Sequence, residues 1–326
     1  MKAVVALSTK LQDTEMLFWE KYREEFAENG VELSHFRGYT EDELIEGLKD
    51  ADIVLDMLQP ITKRVIDSLD HCKAIIRAGV GFNNIDLAAA GAKGIAVCNS
   101  PDHCSREVAV LNVTHILNCV EQLSRYSMGV KMGEWPIFPP VRRLSCMTIG
   151  LIGFGRISRF IAGYLLPFGC TVAAYDPLLD DAVFADMGVM RYDLDELFAN
   201  ADVISVQIPL LPSTRHIINR ENLAKMKDGV AIVNTGRGGL VNEADLAEAI
   251  HSGKVAAYGC DVIENEPIRD VNHPLVSLPQ VSITPHVGYR GVEAMEELEQ
   301  KTAQHVITVA KGEIPYTCVN RAELGL

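Results

Sequence analysis

The chain has 326 residues, of which 48% are hydrophobic and 23% charged, and its formal net charge is −14. This length suits two domains of ordinary size, and the apolar content is enough for each to bury a core. No apolar stretch approaches the roughly 18 residues of a membrane span, and the negative charge is unfavourable for binding nucleic acid, so we expect neither a membrane nor a nucleic acid as partner.

Strand-like and helix-like patterns alternate along the first hundred residues. Ala3–Leu7 is a short apolar run that we interpret as a first strand rather than as part of a signal peptide. A helical pattern rich in Glu and Lys follows at about Asp13–Asn29. Two further strand candidates, Ile53–Met57 and Ala74–Ala78, flank a helical pattern at Thr62–Leu69. Repeated strand–helix units of this kind favour a parallel sheet.

A long helical pattern, Ser105–Lys131, and an irregular segment near Trp135–Pro140 separate this series from a second one. The second series begins with the strand Thr148–Ile152 and a helical pattern at Arg159–Leu166. Its later strand candidates are Thr171–Asp176, Val203–Ile208, Val230–Asn234, Ala256–Val262 and Val281–Thr284. The last helical pattern spans about Gly291–Lys311, and together the elements predict two consecutive α/β units.

The eight cysteines are scattered and form neither a CxxC pair nor a metal-type spacing with histidine. This distribution is typical of buried, reduced thiols in a cytosolic protein. We therefore expect a cytoplasmic protein without a metal site.

The strongest local motif is Gly153–Ser158, with the sequence Gly-Phe-Gly-Arg-Ile-Ser between an apolar strand and a helical pattern. Gly153 and Gly155 permit a tight turn and a close approach of the backbone to a pyrophosphate. The free N–H groups at the start of the helix then face that phosphate. Ser158 stands where the usual pattern has a third glycine, and it is small enough for close packing of helix on strand. Alone, the motif is also compatible with an ordinary glycine-rich turn.

Asp176 strengthens the interpretation as a dinucleotide site, because it ends the next strand, 23 residues after Gly153. The spacing expected of a ribose-binding acidic residue is about 20. Its carboxylate can accept both ribose hydroxyls of NAD and would repel the 2′-phosphate of NADP. No Arg or Lys follows before Arg191, so we expect NAD as the cofactor. The alternative role for Asp176 is that of a turn residue before Pro177.

Three later segments each place a charged or titratable side chain at or just past the end of a predicted strand. Arg237 lies in a glycine-rich turn, Glu266 precedes a proline in Asp261–Pro267, and His286 follows Pro285. Ligands of open α/β sheets bind at the carboxyl ends of the strands.

In this combination the chain resembles the D-isomer-specific 2-hydroxyacid dehydrogenases, the family of phosphoglycerate dehydrogenase and hydroxypyruvate reductase. The resemblance rests on the glycine-rich turn, Asp176, and the three segments around Arg237, Glu266 and His286, taken in this order. It covers essentially the whole chain and implies that these last three residues are catalytic. The implied reaction interconverts a 2-keto acid and a D-2-hydroxy acid with NAD.

The residue types suit this chemistry. Reduction of a ketone delivers hydride to carbon and needs a proton for oxygen, which His286 can supply as general acid and remove in the reverse direction. A carboxylate at Glu266 would favour the protonated ring. Arg237, a planar permanent cation, can hold the substrate carboxylate and polarise the carbonyl.

The resemblance also implies a fold of two doubly wound parallel-sheet domains, Rossmann-like or flavodoxin-like, with one inserted in the other. We expect a substrate domain at 1–98 and 287–326, and an NAD-binding Rossmann domain at 99–286. The implied cofactor-binding residues are Gly153, Phe154, Gly155, Arg156, Ile157, Asp176, Ile208, Pro209, Thr214, Thr235, Gly236, Asp261 and Gly288.

The segment from Arg77 to Asp86 resembles the family's substrate-carboxylate loop, in which the N–H groups of Val80 and Gly81 would bind an anion. Arg77 and Tyr289 are similar to residues of the branch that contains the C-terminal-binding-protein corepressors, and both are candidates for substrate contact.

Several positions depart from the family's pattern. The family usually carries an acidic residue at Val110, often Thr at Asn112, often His at Gln207 and usually Asp at Asn83. The first three lie near the cofactor in relatives, so these departures bear on cofactor affinity and substrate class. Pyruvate, glyoxylate, hydroxypyruvate, 3-phosphohydroxypyruvate and bulkier keto acids all remain open as substrates.

Other functions are also compatible with the sequence. An NAD(H)-sensing binding protein related to dehydrogenase-like corepressors is the main alternative to an enzyme, and a formate or phosphonate dehydrogenase is a lesser one. The helical pattern Ser105–Lys131 resembles the family's dimer-forming region, so we expect a homodimer. Because the chain ends at Leu326, soon after its last helical pattern, we expect no appended regulatory domain and no allosteric control by serine.

Overall fold

A computed structural model of the chain describes residues 1–7, 19–135 and 140–326. The chain divides into two compact units. The first unit comprises Met1–His103 and Val292–Leu326, and the second comprises Cys104–Gly291.

The first unit contains a parallel sheet of five strands, in the order β2-β1-β3-β4-β5. These strands are β1 (Lys2–Ala6), β2 (Glu32–Phe36), β3 (Ile53–Asp56), β4 (Ala74–Arg77) and β5 (Ala96–Cys98). The strand order reverses between β1 and β3, which is the flavodoxin-like arrangement. Ligands of such sheets bind where the order reverses, beyond the carboxyl ends of the strands.

Four short helices connect these strands: α1 (Arg23–Glu28), α2 (Glu41–Leu48), α3 (Lys63–Asp67) and α4 (Leu87–Ala92). A 3-10 turn at Glu20–Tyr22 precedes α1, so the predicted helix Asp13–Asn29 contains two short pieces in its described part, and residues 13–18 lie outside the described residues. Helix α2 begins with a capping box, in which the Thr40 hydroxyl accepts the Glu43 N–H and the Glu43 carboxylate accepts the Thr40 N–H.

The second unit begins with two helices, α5 (Ser105–Glu121) and α6 (Leu123–Lys131). The prediction of one continuous helix over Ser105–Lys131 is therefore wrong. Gln122 adopts a left-handed conformation with φ 53°, which interrupts the helical backbone. The Asn118 carboxamide oxygen then accepts both the N–H and the hydroxyl of Ser124, at 2.8 and 2.9 Å, and so caps the start of α6.

The sheet of the second unit has seven parallel strands, in the order β12-β11-β10-β9-β6-β7-β8. They are β6 (Thr148–Ile152), β7 (Thr171–Tyr175), β8 (Met190–Arg191), β9 (Val203–Val206), β10 (Val230–Asn234), β11 (Val255–Cys260) and β12 (Val281–Ile283). The helices between them are α7 (Arg156–Leu165), α8 (Asp181–Ala185), α9 (Leu194–Asn200), α10 (Arg220–Lys225) and α11 (Glu243–His251). The order reverses between β6 and β9, as in a Rossmann fold, and the prediction of two doubly wound parallel-sheet units is confirmed.

Alternate side chains of the second sheet enter two separate cores. Val230 and Ile232 pack in one, whereas Ala231 and Val233 of the same strand pack in the other. A parallel sheet covered by helices on both faces buries successive residues on opposite sides, which explains the continuous apolar runs in the sequence.

The chain returns to the first unit through α12 (Val292–Ala310), which packs on β3 and β4. Val306 and Ile307 of this helix share a core with Ile53 and Leu55. Among the described helices, none has both the length and the apolar character required to cross a membrane.

Candidate active site

The glycine-rich turn after β6 has the backbone geometry of a dinucleotide site. Gly153 adopts φ 89°, and a Cβ there would lie 2.6 Å from Ile208 Cγ2 and 2.7 Å from the Gln207 carbonyl oxygen. By contrast, a Cβ at Gly155 would meet no heavy atom within 4 Å. Gly155 is the N-cap of helix α7 and has no side chain to cap it, so the first N–H groups of the helix are available to an anion in that open space.

Ser158 occupies the position of the third glycine, and its side chain is 1% exposed. Its hydroxyl has no hydrogen-bond partner among the described atoms. The prediction that serine is small enough to pack here agrees with this burial. The open approach at Gly155, the uncapped helix and this buried hydroxyl fit the pyrophosphate of a dinucleotide at the start of α7.

Asp176 lies directly after β7 and is tied to the glycine-rich turn. Its Oδ2 accepts the Phe154 N–H at 2.9 Å and its Oδ1 accepts the Leu178 N–H at 3.0 Å. Each carboxylate oxygen can accept a second hydrogen bond, so the group can still receive two ribose hydroxyls.

Arg237 is presented by a loop that Asn234 organises. The Asn234 side chain accepts the Gly236 N–H at 3.0 Å and donates to the Arg237 carbonyl oxygen at 2.9 Å. A Cβ at Gly238 would lie 1.9 Å from the carbonyl group of Ile263. The backbone of this loop is therefore in close contact with the segment that leads to Glu266. Burial lowers the pKa of Arg237, and the negative charge of Glu266 opposes that effect.

His286 and Glu266 form a hydrogen-bonded pair. The distance between His286 Nδ1 and Glu266 Oε2 is 2.7 Å, and the second carboxylate oxygen accepts the Ile263 N–H at 3.2 Å. The side chains are 43% and 28% exposed, so the pair can be reached by a small molecule. Because Nδ1 faces the carboxylate, Nε2 is the ring nitrogen that can exchange a proton with a substrate.

Asp261 holds the loop that carries His286. Its buried carboxylate accepts the Thr284 hydroxyl at 2.5 Å and the N–H groups of Val287 and Gly288 at 2.9 and 2.8 Å. The loop is thus fixed on both sides of His286, whose φ of 56° is uncommon for a residue with a side chain. Asp261 was predicted to bind the cofactor; among the described residues, the three hydrogen-bond partners of its carboxylate all lie in this loop.

Two departures from the family's pattern are joined in one buried network. Asn112 and Gln207 both donate to the Thr235 hydroxyl oxygen, at 3.0 and 2.7 Å, and Ser205 donates to the Asn112 side chain at 3.1 Å. The third position, Val110, lies exposed on α5 and outside this network. The network fixes the hydroxyl of a residue two positions before Arg237, a connection that the sequence alone could not show.

The other predicted cofactor residues lie in neighbouring loops of the second unit. Ile208 and Pro209 follow β9, and the Thr214 hydroxyl donates to the Pro209 carbonyl oxygen at 2.7 Å. Arg156 and Ile157 lie in the first turn of α7. The predicted substrate residue Tyr289 is half-buried and follows Gly288.

The remaining predicted substrate residues belong to the first unit. Arg77 ends β4 and lies beside Asp56, with 3.7 Å between Arg77 Nε and Asp56 Oδ2. Val80 and Gly81 follow in a loop whose Val80 carbonyl oxygen accepts the Asn99 side chain at 2.7 Å. Asp56 was not among the predicted site residues, because its only signal in the sequence is a single acidic residue at the end of an apolar strand.

Within the described ranges, no cluster of three or more His, Cys, Asp or Glu side chains has an arrangement that could bind a metal ion.

Comparisons with known proteins agree with this geometry. A family model described as "D-isomer specific 2-hydroxyacid dehydrogenase, NAD binding domain" matches residues 113–288. The chain is 42% identical over 260 residues to the hydroxypyruvate reductase of Thermotoga maritima, a match that covers 79% of this chain and 84% of the relative. The matched NAD-binding domain contains the glycine-rich turn, Asp176 and the three loops described above, so the predicted cofactor, NAD, is confirmed.

A second relative is longer than this chain. The D-3-phosphoglycerate dehydrogenase of Methanocaldococcus jannaschii is 40% identical over 287 residues, a match that covers 87% of this chain and 54% of the relative. The chain therefore spans about half the length of that relative. Among solved structures, D-lactate dehydrogenase of Aquifex aeolicus, in complex with NAD and lactic acid, has a TM-score of 0.83 at 28% identity and covers 96% of each chain.

The contact of Gly238 with Ile263 predicts that Gly238→Ala is disruptive. The added methyl group would overlap the Ile263 carbonyl group, and we expect the free energy of unfolding to fall by about 1–3 kcal/mol. Chemical denaturation measures this. Gly163→Ala is the matched control, because a Cβ at Gly163 in α7 would meet nothing within 4 Å; a similar loss in both variants would contradict the close approach.

The position of Asp176 predicts that it discriminates NAD from NADP. Asp176→Asn removes the negative charge but keeps one acceptor for the turn, and we expect kcat/KM with NADPH relative to NADH to rise about tenfold or more. Asp186→Asn removes an equal charge from the exposed end of α8 and should leave the ratio unchanged. An unchanged ratio in the Asp176 variant would show that this carboxylate does not contact the ribose.

Proposed function

We propose, since this chain belongs to the D-isomer-specific 2-hydroxyacid dehydrogenase family, that Arg237, Glu266 and His286 perform its hydride-transfer reaction. The chain is an NAD-dependent oxidoreductase that interconverts a 2-keto acid and a D-2-hydroxy acid, acting on the CH–OH group. The observation that supports the residue roles is the 2.7 Å contact between His286 and Glu266 in the NAD-binding unit, next to the loop of Arg237.

In the proposed mechanism, His286 is the general acid and base. During reduction the carbonyl carbon receives the hydride that the reduced nicotinamide supplies. As negative charge develops on the carbonyl oxygen, His286 donates its Nε2 proton to that oxygen. Glu266, bound to Nδ1, holds the ring in orientation and stabilises its protonated form. In the reverse reaction the neutral ring accepts the hydroxyl proton.

Arg237 is proposed to bind the substrate carboxylate and to polarise the carbonyl oxygen. Its Nη1 donates to the Gly236 carbonyl oxygen at 2.7 Å, which limits the orientations of the guanidinium group. A planar cation that is held in place can align the keto group at little further entropic cost.

The first unit is proposed to contribute the substrate-binding residues Arg77, Val80 and Gly81. The Gly79 and Val80 carbonyl oxygens accept the Ser100 N–H at 3.0 Å and the Asn99 side chain at 2.7 Å. Among the hydrogen bonds of the described residues, none is donated by the N–H groups of Val80 and Gly81, so they can bind an anion. We include Tyr289 in the second unit among the substrate contacts.

We also propose that the protein is a homodimer. Helices α5 and α6 and the segment after them expose large apolar side chains, and contiguous exposed apolar surface is typical of an interface. These side chains are Val110, Leu123, Met128, Val130, Met132 and Trp135. Sedimentation of the purified protein tests this assignment.

A cytoplasmic location and the absence of nucleic-acid and membrane partners are further parts of the proposal. All eight cysteines are in the thiol form and seven are buried, which suits a reducing compartment. The net charge of −14 is unfavourable for a nucleic acid or an anionic membrane. The proton-transfer pair favours an enzyme over the NAD(H)-sensing binding protein, which would not require it.

Turnover of a panel of 2-keto acids with NADH tests the proposed function. We expect one clear best substrate for the wild-type protein. Arg237→Ala should lose at least about a hundredfold in kcat/KM while it still binds NADH, because the missing charge acts on the substrate. Tight NADH binding by the wild-type protein without turnover of any keto acid would refute the enzymatic assignment.

The pairing of Glu266 with His286 predicts a loss of turnover in Glu266→Gln. Glutamine can still accept the hydrogen bond from Nδ1, but its neutral amide binds more weakly than the carboxylate and holds the ring less firmly. We expect kcat/KM to fall by about tenfold or more in both directions of the reaction, while NADH binding is retained. Steady-state kinetics and NADH binding measure the two effects.

Glu248→Gln is the control for this loss of turnover. It removes an equal charge from an exposed position on α11, where the carboxylate pairs with Arg220. Its kcat/KM should match that of the wild-type protein. An unchanged kcat/KM in Glu266→Gln would show that the pair does not act in catalysis.

A further inference from the structure

The carboxyl edge of the first sheet contains a buried pair of opposite charges, Asp56 and Arg77. Asp56 ends β3 and Arg77 ends β4, and the two residues are direct neighbours in the register of these parallel strands. Asp56 is 0% exposed and Arg77 is 7% exposed. The pair therefore lies next to the point between β1 and β3 where the strand order reverses.

Asp56 is surrounded by hydrogen-bond donors. Its Oδ1 accepts the Gln59 N–H at 2.8 Å, its Oδ2 accepts the Asn84 side chain at 2.7 Å, and Arg77 Nε lies 3.7 Å from Oδ2. Burial raises the pKa of Asp56, and Arg77 is the first of the groups that oppose this shift. Since Gln59 and Asn84 donate to this carboxylate and Arg77 is a neighbouring cation, the ionised form suits all three neighbours better than a protonated carboxyl would.

The pair is directly connected to the loop proposed to bind the substrate carboxylate. Arg77 Nη1 donates to the Ala78 carbonyl oxygen. Gly79 adopts φ 145°, and a Cβ there would lie 2.8 Å from Arg77 Nη1. The guanidinium group is thus packed against the backbone that presents the N–H groups of Val80 and Gly81.

The charges of this edge limit what it can bind. A single carboxylate can be bound by backbone N–H groups with Arg77 nearby. A phosphate ester adds about 1.5 to 2 negative charges and needs a further cation, but the charge of Arg77 is already balanced by Asp56. Lys301, another cation of the first unit, is likewise paired, with Asp102 and with Glu297, both at 2.6 Å.

We propose that Asp56 is a specificity-determining residue, which acts through Arg77 and restricts the substrate to 2-keto acids without a second anionic group. This inference rests on the proposed function of the same site. It assigns the chain the unphosphorylated class of substrate, as in the name of the hydroxypyruvate reductase relative, and not the phosphorylated class named by the phosphoglycerate dehydrogenase relative.

The test compares hydroxypyruvate with 3-phosphohydroxypyruvate, each with NADH. We expect kcat/KM of the wild-type protein to be at least about tenfold higher for hydroxypyruvate, because one uncompensated charge a few ångströms away has an effect of this order. In Asp56→Asn the ratio of kcat/KM for the phosphorylated substrate to that for hydroxypyruvate should rise about ten- to hundredfold.

Asp52→Asn is the matched control. Asp52 precedes β3 at the opposite end of the strand, where its carboxylate accepts the Lys2 N–H at 2.6 Å. It lies roughly 13 Å from Asp56 along the strand, beyond the screening length of about 8–10 Å. The change removes the same charge, and we expect the substrate ratio to stay at the wild-type value.

If Asp56→Asn does not fold, Arg77→Gln keeps the inference testable, because removal of the arginine leaves the negative charge of Asp56 unbalanced. In Arg77→Gln the ratio of kcat/KM for the phosphorylated substrate to that for hydroxypyruvate should fall below the wild-type value. The double variant Asp56→Asn with Arg77→Gln restores neutrality, and its ratio should return toward the wild-type value.

The outcomes separate this inference from the function on which it rests. Absence of turnover with both keto acids, and with the rest of the panel, would refute the proposed function and the inference with it. Turnover with equal or better use of 3-phosphohydroxypyruvate by the wild-type protein would overturn the inference alone. Equal shifts of the ratio in the Asp56 and Asp52 variants would also overturn it, because the effect would then come from net charge.

Discussion

The buried carboxylate of Asp261 is the constraint on which the arrangement of the hydrogen-bonded pair of His286 and Glu266 depends. It accepts three hydrogen bonds from the loop after β12, one from Thr284 and two from the backbone that follows His286. A carboxylate that receives several N–H and O–H donors forms strong, directional bonds. The loop can therefore hold His286 at a positive φ, and the position of its ring relative to Glu266 follows from this anchor.

The parallel sheet explains why distant segments of the chain meet at this anchor. Strands β10, β11 and β12 are adjacent, and each ends in a loop at the same edge. Arg237, Asp261 and His286 come from these three loops in turn, so their proximity follows from the strand order. The absence of a side chain at Gly238 then allows the first loop to approach the second closely, next to the segment that carries Glu266.

Much of this arrangement could be predicted because it depends on local sequence and on the direction of the strands. The glycine-rich turn, Asp176 and the three charged residues all follow short apolar runs whose length and flanking residues indicate buried strands, so their common edge could be inferred. The break between α5 and α6 at Gln122 could not be predicted, because the apolar pattern continues through it. It results from the positive φ of this one residue. Asn112 and Gln207 were recognisable separately as departures, but their shared partner Thr235 becomes visible only when α5, β9 and β10 are packed together.

Local pairing of charges explains how a chain with a net charge of −14 can act on an anionic substrate. At about 4 Å, opposite unit charges attract by about 4 kcal/mol at an effective dielectric constant of about 20, against about 1 kcal/mol in water. Charges that are buried and close, such as Asp56 and Arg77, therefore determine the local potential far more than the screened carboxylates on the surface. Arg237 and Glu266 repeat the pattern in the second unit. In each unit an arginine near the proposed site has a carboxylate close by, so the charge that remains for a ligand is set by the partner as much as by the arginine.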